Sequence, residues 1–229
     1  MSAEVPYVLA ALLDVLGYRD LLASDRESGR LKFKDALQRA MQVLSDVNEA
    51  QYAYTAISDT IIITRTDDGD LRGLLTVLKN VQIAFLREGI LIRGGLAYER
   101  HFKSNNITYS HAIALAHQVE SAVAIYPRIV IDKNLIETQK TKGFWAEVTK
   151  SELICDCNGI HFLNLIDATN WEQVYDSAKT IYNREKTNLS GKEKEFSKHA
   201  WFENYLYSSP HAKSSQTFPR YIPTIQLTR

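Results

Sequence analysis

Residues 7–18 read YVLAALLDVLGY and residues 52–64 read YAYTAISDTIIIT, and these two stretches decide the fold. Each is an apolar run of strand length. Asp14 closes the first run, and Gly17 marks the turn that follows it. Ser58 and Asp59 divide the second run, which predicts a β-hairpin with Asp59 at its turn. If the first strand and the hairpin are neighbours, the two aspartates meet at one end of a sheet.

The rest of the chain alternates helical and strand-like patterns. A short helix begins near Arg19, and apolar spacing of three and four predicts further helices at residues 31–50, 71–88, 111–124, 170–187 and 192–207. Strands are predicted at residues 90–97, 129–131 and 160–166, and loops at residues 66–70 and from residue 105. This order predicts an α+β fold in which an antiparallel-rich sheet is covered by helices. We expect one domain over residues 1–207, followed by a loosely packed tail or arm over residues 208–229.

Composition excludes several classes of protein. The chain has 229 residues, of which 45% are hydrophobic and 24% charged, as in ordinary globular proteins. Lys and Arg together number 27, as do Asp and Glu, so no net charge attracts the chain to nucleic acid or to anionic membranes. No apolar stretch reaches the ~18 residues of a membrane helix, and the N-terminal run lacks a basic leader and a cleavage pattern. We expect a cytoplasmic protein with neither nucleic acid nor membrane as a partner.

The two cysteines, Cys155 and Cys157, lie two positions apart in a strand-like stretch. That spacing places both side chains on one face of a strand. A zinc site needs more ligands at regular spacing. We therefore expect reduced core thiols and a reducing compartment.

Asp14 and Asp59 are the acidic residues whose positions suggest chemistry. Both lie beside apolar runs, where a carboxylate carries a desolvation cost unless its charge is paired. A Mg²⁺ or Mn²⁺ ion is one such partner, since it binds one or two carboxylates together with substrate phosphates. The alternative interpretation is structural: Asp14 caps the following helix and Asp59 makes a hairpin turn.

Two further segments are candidates. Arg93-Gly94-Gly95 lies within a predicted strand, where paired glycines mark either a bulge or the close approach of a ligand to the backbone. Lys198 and Trp201 place a cation near a large aromatic ring on the last predicted helix. The chain carries no P-loop, dinucleotide-binding fingerprint or nucleophile elbow.

Four motifs together resemble those of the class III nucleotidyl cyclases. The run from Asp14 to Tyr18 resembles the D-[IV]-x-G-[FY] metal motif, and Ile57-Ser58-Asp59 resembles the second metal motif, I-G-D. Residues 91–97, LIRGGLA, look like the arginine-and-glycine strand that follows, and residues 106–120 look like the motif Y-G-x-x-V-N-x-A-x-R. The resemblance covers residues 5–135 and implies a cyclase-like sheet with a ferredoxin-like core.

The sequence departs from the purine cyclases at four positions. Thr55, with Tyr54 beside it, stands where those enzymes have a base-reading Lys or Glu, and the partner position is Ile107. Ala114 stands in place of the transition-state Asn, and Gln118 in place of the Arg. Two interpretations follow: an inactive cyclase fold, or a cyclase that reads another base. Under the second interpretation, the chain resembles the pyrimidine cyclases of the bacterial anti-phage system called Pycsar. Residues 198–205, KHAWFENY, also resemble the terminal helix of those enzymes.

This resemblance implies that UTP is converted to cyclic UMP, or CTP to cyclic CMP, and that the product activates a downstream effector. It implies a homodimer with shared active sites and two Mg²⁺ or Mn²⁺ ions per site, held by Asp14, Asp59 and the carbonyl of Val15. Gly17 and Tyr18 are then expected near the substrate phosphates, and Tyr54 and Thr55 near the base. Arg93 or Lys198 would supply the cation that Gln118 lacks. Two alternatives stay open: an inactive nucleotide-binding module, and an unrelated α+β interaction domain.

Overall fold

The computed structural model describes residues 5–65, 70–104 and 107–223. The chain divides into two compact units, Met1–Leu165 and Ile166–Arg229. The strands are β1 Tyr7–Val15, β2 Tyr52–Ile57, β3 Thr60–Arg65, β4 Ile92–Lys103, β5 Thr108–Ser110, β6 Ile129–Ile131, β7 Ile154–Cys157 and β8 Ile160–Leu163. The helices are α1 Tyr18–Ser28, α2 Lys32–Met41, α3 Leu71–Arg87, α4 His111–Ala122, α5 Lys133–Thr141, α6 Trp145–Lys150, α7 Trp171–Glu185 and α8 Glu193–Ser208.

All the strands belong to the first unit and form one sheet. Its order is β2-β3-β1-β4-β6-β8-β7, and β5 adds to the far end of β4. β4 and β6 are parallel, while the other neighbouring strands pair antiparallel. The predicted class, an α+β fold with an antiparallel-rich sheet covered by helices, is confirmed.

Strand β1 lies in the middle of the sheet and packs on both of its faces. Leu9, Ala11, Leu13 and Val15 contact the main core, which is built with helices α2 and α3. Val8, Ala10 and Leu12 alternate with them and pack beneath residues of α4. Because successive side chains of a strand point to opposite faces, Asp14 belongs to the face covered by α4.

Gly95 of the glycine pair in β4 allows α4 to lie directly on the sheet, while Gly94 lies against β1. A Cβ atom added to Gly95 would collide with the carbonyl oxygen of Ala116 and come within 2.8 Å of the amide nitrogen of Glu120. One added to Gly94 would come within 2.6 Å of the Leu12 carbonyl oxygen. The glycines therefore mark a close approach of backbone to backbone within the fold.

Most predicted elements are present, with shifted ends. The helix predicted over residues 31–50 ends at Met41 and continues as a 3₁₀ turn, Gln42–Asp46. There Ser45 Oγ donates to the Gln42 carbonyl, and Asn48 accepts from the amide of Ala50. Such local hydrogen bonds compete with a continuing helix. Strand β4 runs beyond its predicted end because β1 pairs with residues 98–100 and β5 pairs with residues 101–103. Strand β5 and helices α5 and α6 were not predicted from the sequence.

The cysteines lie on β7, at the edge of the sheet. Both are free thiols, but Cys155 is half-buried and Cys157 is exposed, so the prediction of core thiols is wrong for Cys157. Burial, with a smaller contribution from Cys157, raises the pKa of Cys155 to about 11.

The second unit is built on α7 and α8. Trp171 stacks on Tyr175, and its indole nitrogen donates to the Leu206 carbonyl at 2.9 Å. The segment after α8, predicted to be an arm or tail, contacts both helices. Tyr175 donates to the Pro219 carbonyl, and Glu203 accepts from the amide of Ile222 at 3.0 Å. The loop predictions at residues 66–69 and 105–106 lie outside the described residues, as do residues 224–229. Within the described part of the chain, no helix has the length and apolar character to span a bilayer.

We expect Gly95→Ala to destabilise the protein by about 1–3 kcal/mol, because the added methyl group forces α4 away from β4. Ala50→Val, which adds side-chain atoms at an exposed position before β2, is the matched control and should change stability little. The midpoint of urea unfolding measures both variants. Equal midpoints for the two variants would contradict the close packing at Gly95.

Candidate active site

Asp14 lies near the end of β1, opposite Thr60 of β3 on one side and Arg93 of β4 on the other. Its side chain is 23% exposed. It does not cap the following helix: the N-cap of α1 is Gly17, in a left-handed conformation, and no side chain caps this helix end. The helix-cap interpretation of Asp14 is therefore wrong.

Asp59 lies in the tight turn between β2 and β3, as predicted. Its backbone carbonyl accepts a hydrogen bond of 3.0 Å from the amide of Val15. This bond ties the hairpin turn to the end of β1 and brings the two aspartate-bearing segments together. Ser58, before it, has a φ of 58°, a left-handed conformation that favours glycine. The I-G-D motif has glycine at this position, and the left-handed backbone of Ser58 explains the preference for glycine.

Arg93 joins Asp14 to a residue that the sequence analysis missed. Its Nε donates to Asp14 Oδ2 at 3.0 Å, and its Nη1 donates to the Ala124 carbonyl at 3.3 Å. Its Nη2 lies 2.6 Å from Glu120 Oε1. This last approach is a charge contact, since among the described residues Glu120 Oε1 accepts no well-aligned hydrogen bond.

Glu120 is buried, with 4% of its surface exposed. Burial raises the pKa of its carboxyl group, Arg93 opposes this rise, and Asp14 and Asp59 add to it. A signal for Glu120 is present in the sequence, because it follows Ala112 and Ala116 at intervals of four residues. That spacing places all three on one face of α4, and all three are buried.

Strand register separates the two residues expected near the base. Thr55 is opposite Ile62, which packs on the α4 side of the sheet with Leu12. Tyr54 is opposite Ile63, which belongs to the main core on the other side. Since directly paired residues share a face, Thr55 lies on the same face as Asp14 and Tyr54 lies on the opposite one. Both are exposed.

The other candidates have varied surroundings. The side chain of Val15 is buried in the main core, and the Tyr18 ring contacts the Phe33 ring edge-on, with centroids 5.4 Å apart. Gly17 is exposed at the start of α1. Lys198 lies on α8 in the second unit. The site roles assigned to these residues stay predictions.

The substituted motif positions are at the surface. Ala114 and Gln118 are exposed on α4, one helical turn apart. Ile107 is 62% exposed, just before β5.

The donor set fits a hard divalent cation that binds together with a substrate. In the described ranges, no cluster of three or more His, Cys, Asp or Glu side chains is arranged to hold a metal ion. Asp14 and Asp59 instead offer two carboxylates, and Val15 offers a carbonyl beside them. Magnesium is commonly bound in this way, through one or two carboxylates and the phosphates of its substrate.

No protein-family model matches the sequence, and no curated protein is significantly similar to it. Solved structures of cyclases resemble this chain in fold. The guanylyl cyclase Cya2 is 14% identical with a TM-score of 0.43, over 71% of this chain and 93% of that chain. The catalytic core of a rhodopsin-guanylyl cyclase with converted specificity, in complex with ATPαS, is 12% identical with a TM-score of 0.48, over 70% of this chain and 96% of that chain.

The adenylyl cyclase CyaB from P. aeruginosa is 12% identical with a TM-score of 0.37, over 72% of this chain and 95% of that chain. At these identities and TM-scores, the substrates of those proteins do not carry over to this chain.

Proposed function

We propose that this protein is a nucleotidyl cyclase that converts UTP to 3′,5′-cyclic UMP and pyrophosphate, with CTP as the alternative substrate. In the reaction the ribose 3′-oxygen forms a bond to the α-phosphorus, the bond to the leaving pyrophosphate breaks, and the 3′-hydroxyl proton is released. The observation that carries the proposal is the hydrogen bond from Val15 to Asp59, which joins the two aspartate-bearing segments.

Asp14, Asp59 and the carbonyl of Val15 are the groups that would hold Mg²⁺ or Mn²⁺, two ions per site. When bound, such ions lower the pKa of a coordinated hydroxyl group and neutralise phosphate charge. The chain itself contributes positioning, because both aspartates are fixed by sheet hydrogen bonds, and positioning supplies much of the rate of phosphoryl transfer.

Several chain groups can bind the nucleotide. Gly17 starts α1 without a side-chain cap, so the first amides of this helix are oriented for a phosphate group, with Tyr18 beside them. Thr55 shares a sheet face with Asp14 and has a hydroxyl group that can hydrogen-bond a pyrimidine. Arg93 and Lys198 are the candidate cations for the transition state, in place of the arginine that Gln118 replaces.

We propose a homodimer with shared sites. Strand β2 lies at one end of the strand order, and Ile57 and Tyr54 on it are 67% and 43% exposed. Large apolar side chains on an edge strand favour a protein partner, and a second copy of the chain is the partner that the motif resemblance implies. The product would then act on a downstream effector in anti-phage defence, a role that rests on the motif resemblance alone.

A nucleotide-binding module without turnover is the second candidate. Ala114 and Gln118 favour it, because neither side chain can make the contacts of the Asn and Arg that the motif has there. Lys198 or Arg93 must replace the lost cation if the protein is active.

We expect the protein to form a cyclic pyrimidine nucleotide and pyrophosphate when it is incubated with each of the four nucleoside triphosphates and Mn²⁺. Asp14→Ala and Asp59→Ala should lower the rate on the order of 100-fold or more, because charge stabilisation at the reacting phosphate is lost. Asp46→Asn, at an exposed site, is the matched control. Products are resolved by chromatography.

Full activity of Asp59→Ala would exclude the metal assignment. Nucleotide binding without product would favour the inactive module. Absence of both product and a Mn²⁺-dependent thermal shift would favour a purely structural domain.

We expect Thr55→Val to lower kcat/KM for the preferred pyrimidine triphosphate about three- to tenfold, the effect of one lost hydrogen bond. Tyr54→Phe removes a hydroxyl group from the other face and tests whether Tyr54 contacts the base instead. Thr141→Val, at an exposed position at the end of α5, is the control. A larger loss for Tyr54→Phe than for Thr55→Val would reverse the assignment.

Ile57→Asp should convert the dimer to a monomer and abolish turnover, because a charge would be buried at the proposed interface. Sedimentation velocity measures the change in mass. Leu31→Asp places the same charge at another exposed leucine, 61% exposed before α2, and should leave the dimer intact. A wild-type protein that sediments as a monomer would contradict the proposal.

A further inference from the structure

Three charged residues from three elements form a continuous chain of contacts: Asp14 on β1, Arg93 on β4 and Glu120 on α4. We call these three residues the Asp14–Arg93–Glu120 cluster. The Arg93 guanidinium contacts Asp14 Oδ2 at 3.0 Å and Glu120 Oε1 at 2.6 Å. The side chain of Glu120 is 5% exposed, whereas those of Arg93 and Asp14 are 24% and 23% exposed. One end of the cluster is therefore buried and the other is accessible.

Helix α4 and the segment that follows it, which contains Ala124, hold the guanidinium independently of Asp14. Arg93 Nη1 donates to the Ala124 carbonyl at 3.3 Å, and Nη2 lies against Glu120. The position of Glu120 is determined by close packing, because its backbone amide lies over Gly95. Arg93 thus retains two partners on the α4 side when Asp14 turns to another cation.

Asp14 has two possible positive partners, and they compete for the charge of the same carboxylate. Oδ2 already accepts from Arg93 Nε. A divalent cation at Asp14 has to displace this hydrogen bond or share the carboxylate with it. The negative charge of Glu120 weakens the attraction between Arg93 and Asp14, since it neutralises the guanidinium from the other side.

We propose that Arg93 competes with the divalent cation for Asp14, and that Glu120 determines how strongly it competes. Glu120 is then a positioning residue that acts through Arg93, and the two together set the metal affinity of the site before the nucleotide arrives. The inference rests on the proposed metal site at Asp14 and Asp59, and it assigns Glu120 a role beyond stability.

The experiment measures Mn²⁺ binding to the full chain without nucleotide, through the electron paramagnetic resonance signal of free Mn²⁺. Arg93→Met should bind Mn²⁺ on the order of tenfold more tightly, because Asp14 loses its competing cation. Glu120→Gln should bind on the order of tenfold more weakly, because the whole guanidinium charge then acts on Asp14. The double variant, in which the pair is neutral, should fall between the two.

Arg100→Met is the matched control, since Arg100 is exposed on the same strand, and it should leave binding unchanged. The double variant also keeps the test decisive if Arg93→Met fails to fold with Glu120 buried and unpaired. In that case the double variant is compared with Glu120→Gln alone, and the double variant must bind Mn²⁺ more tightly.

Opposite signs for the two single variants support the proposal, because a purely structural role predicts losses in both. A second outcome is that the wild type binds Mn²⁺, that Asp14→Asn abolishes this binding, and that the Arg93 and Glu120 variants bind Mn²⁺ like the wild type. The competition inference then fails, but the proposed metal site stands. If the wild type binds no Mn²⁺, both fail.

Discussion

The packing of α4 on β4 at Gly95 is the constraint on which the candidate site depends. Without a side chain at this position, the backbone of α4 lies against the strand, with the Ala116 carbonyl and the Glu120 amide directly above it. The close approach of α4 to β4 brings the Glu120 carboxylate to Arg93, and the register between β1 and β4 brings Arg93 to Asp14. The lack of a side chain at Gly95 thus determines which charges surround the Asp14 carboxylate on the neighbouring strand.

The hairpin turn supplies the other half of the site. Ser58 adopts a left-handed conformation, which costs a residue with a side chain about 1–2 kcal/mol relative to the usual helical region. The sheet offsets this cost, because the turn is held by β2–β3 pairing and by the bond from the Val15 amide to the Asp59 carbonyl. Local strain at the turn and close packing at α4 therefore act on opposite sides of Asp14. Together they determine which groups surround the carboxylate.

Much of this architecture follows from short-range patterns. The hairpin at Ser58 and Asp59 was predictable because two apolar runs flank a polar pair, and β6 was predicted at its observed bounds. The ends of longer elements were less predictable. The helix after residue 31 gives way at Met41 to a 3₁₀ turn, where polar side chains bond to nearby backbone groups. Strand β4 is extended by pairing with β1 and β5, which its own local sequence does not predict. In both cases hydrogen bonds to residues outside the predicted element set where it ends.

The α+β class and the two strand-end aspartates were predictable from local patterns, because strand alternation and turn residues are local properties of the chain. Long-range contacts were needed to show that Asp14 pairs with Arg93 rather than capping α1, that Glu120 completes the cluster, and that Thr55 rather than Tyr54 shares the face of Asp14. These facts depend on strand register and on the distance between a helix and a sheet. Both are set by contacts between residues far apart in the chain, which a local pattern does not contain.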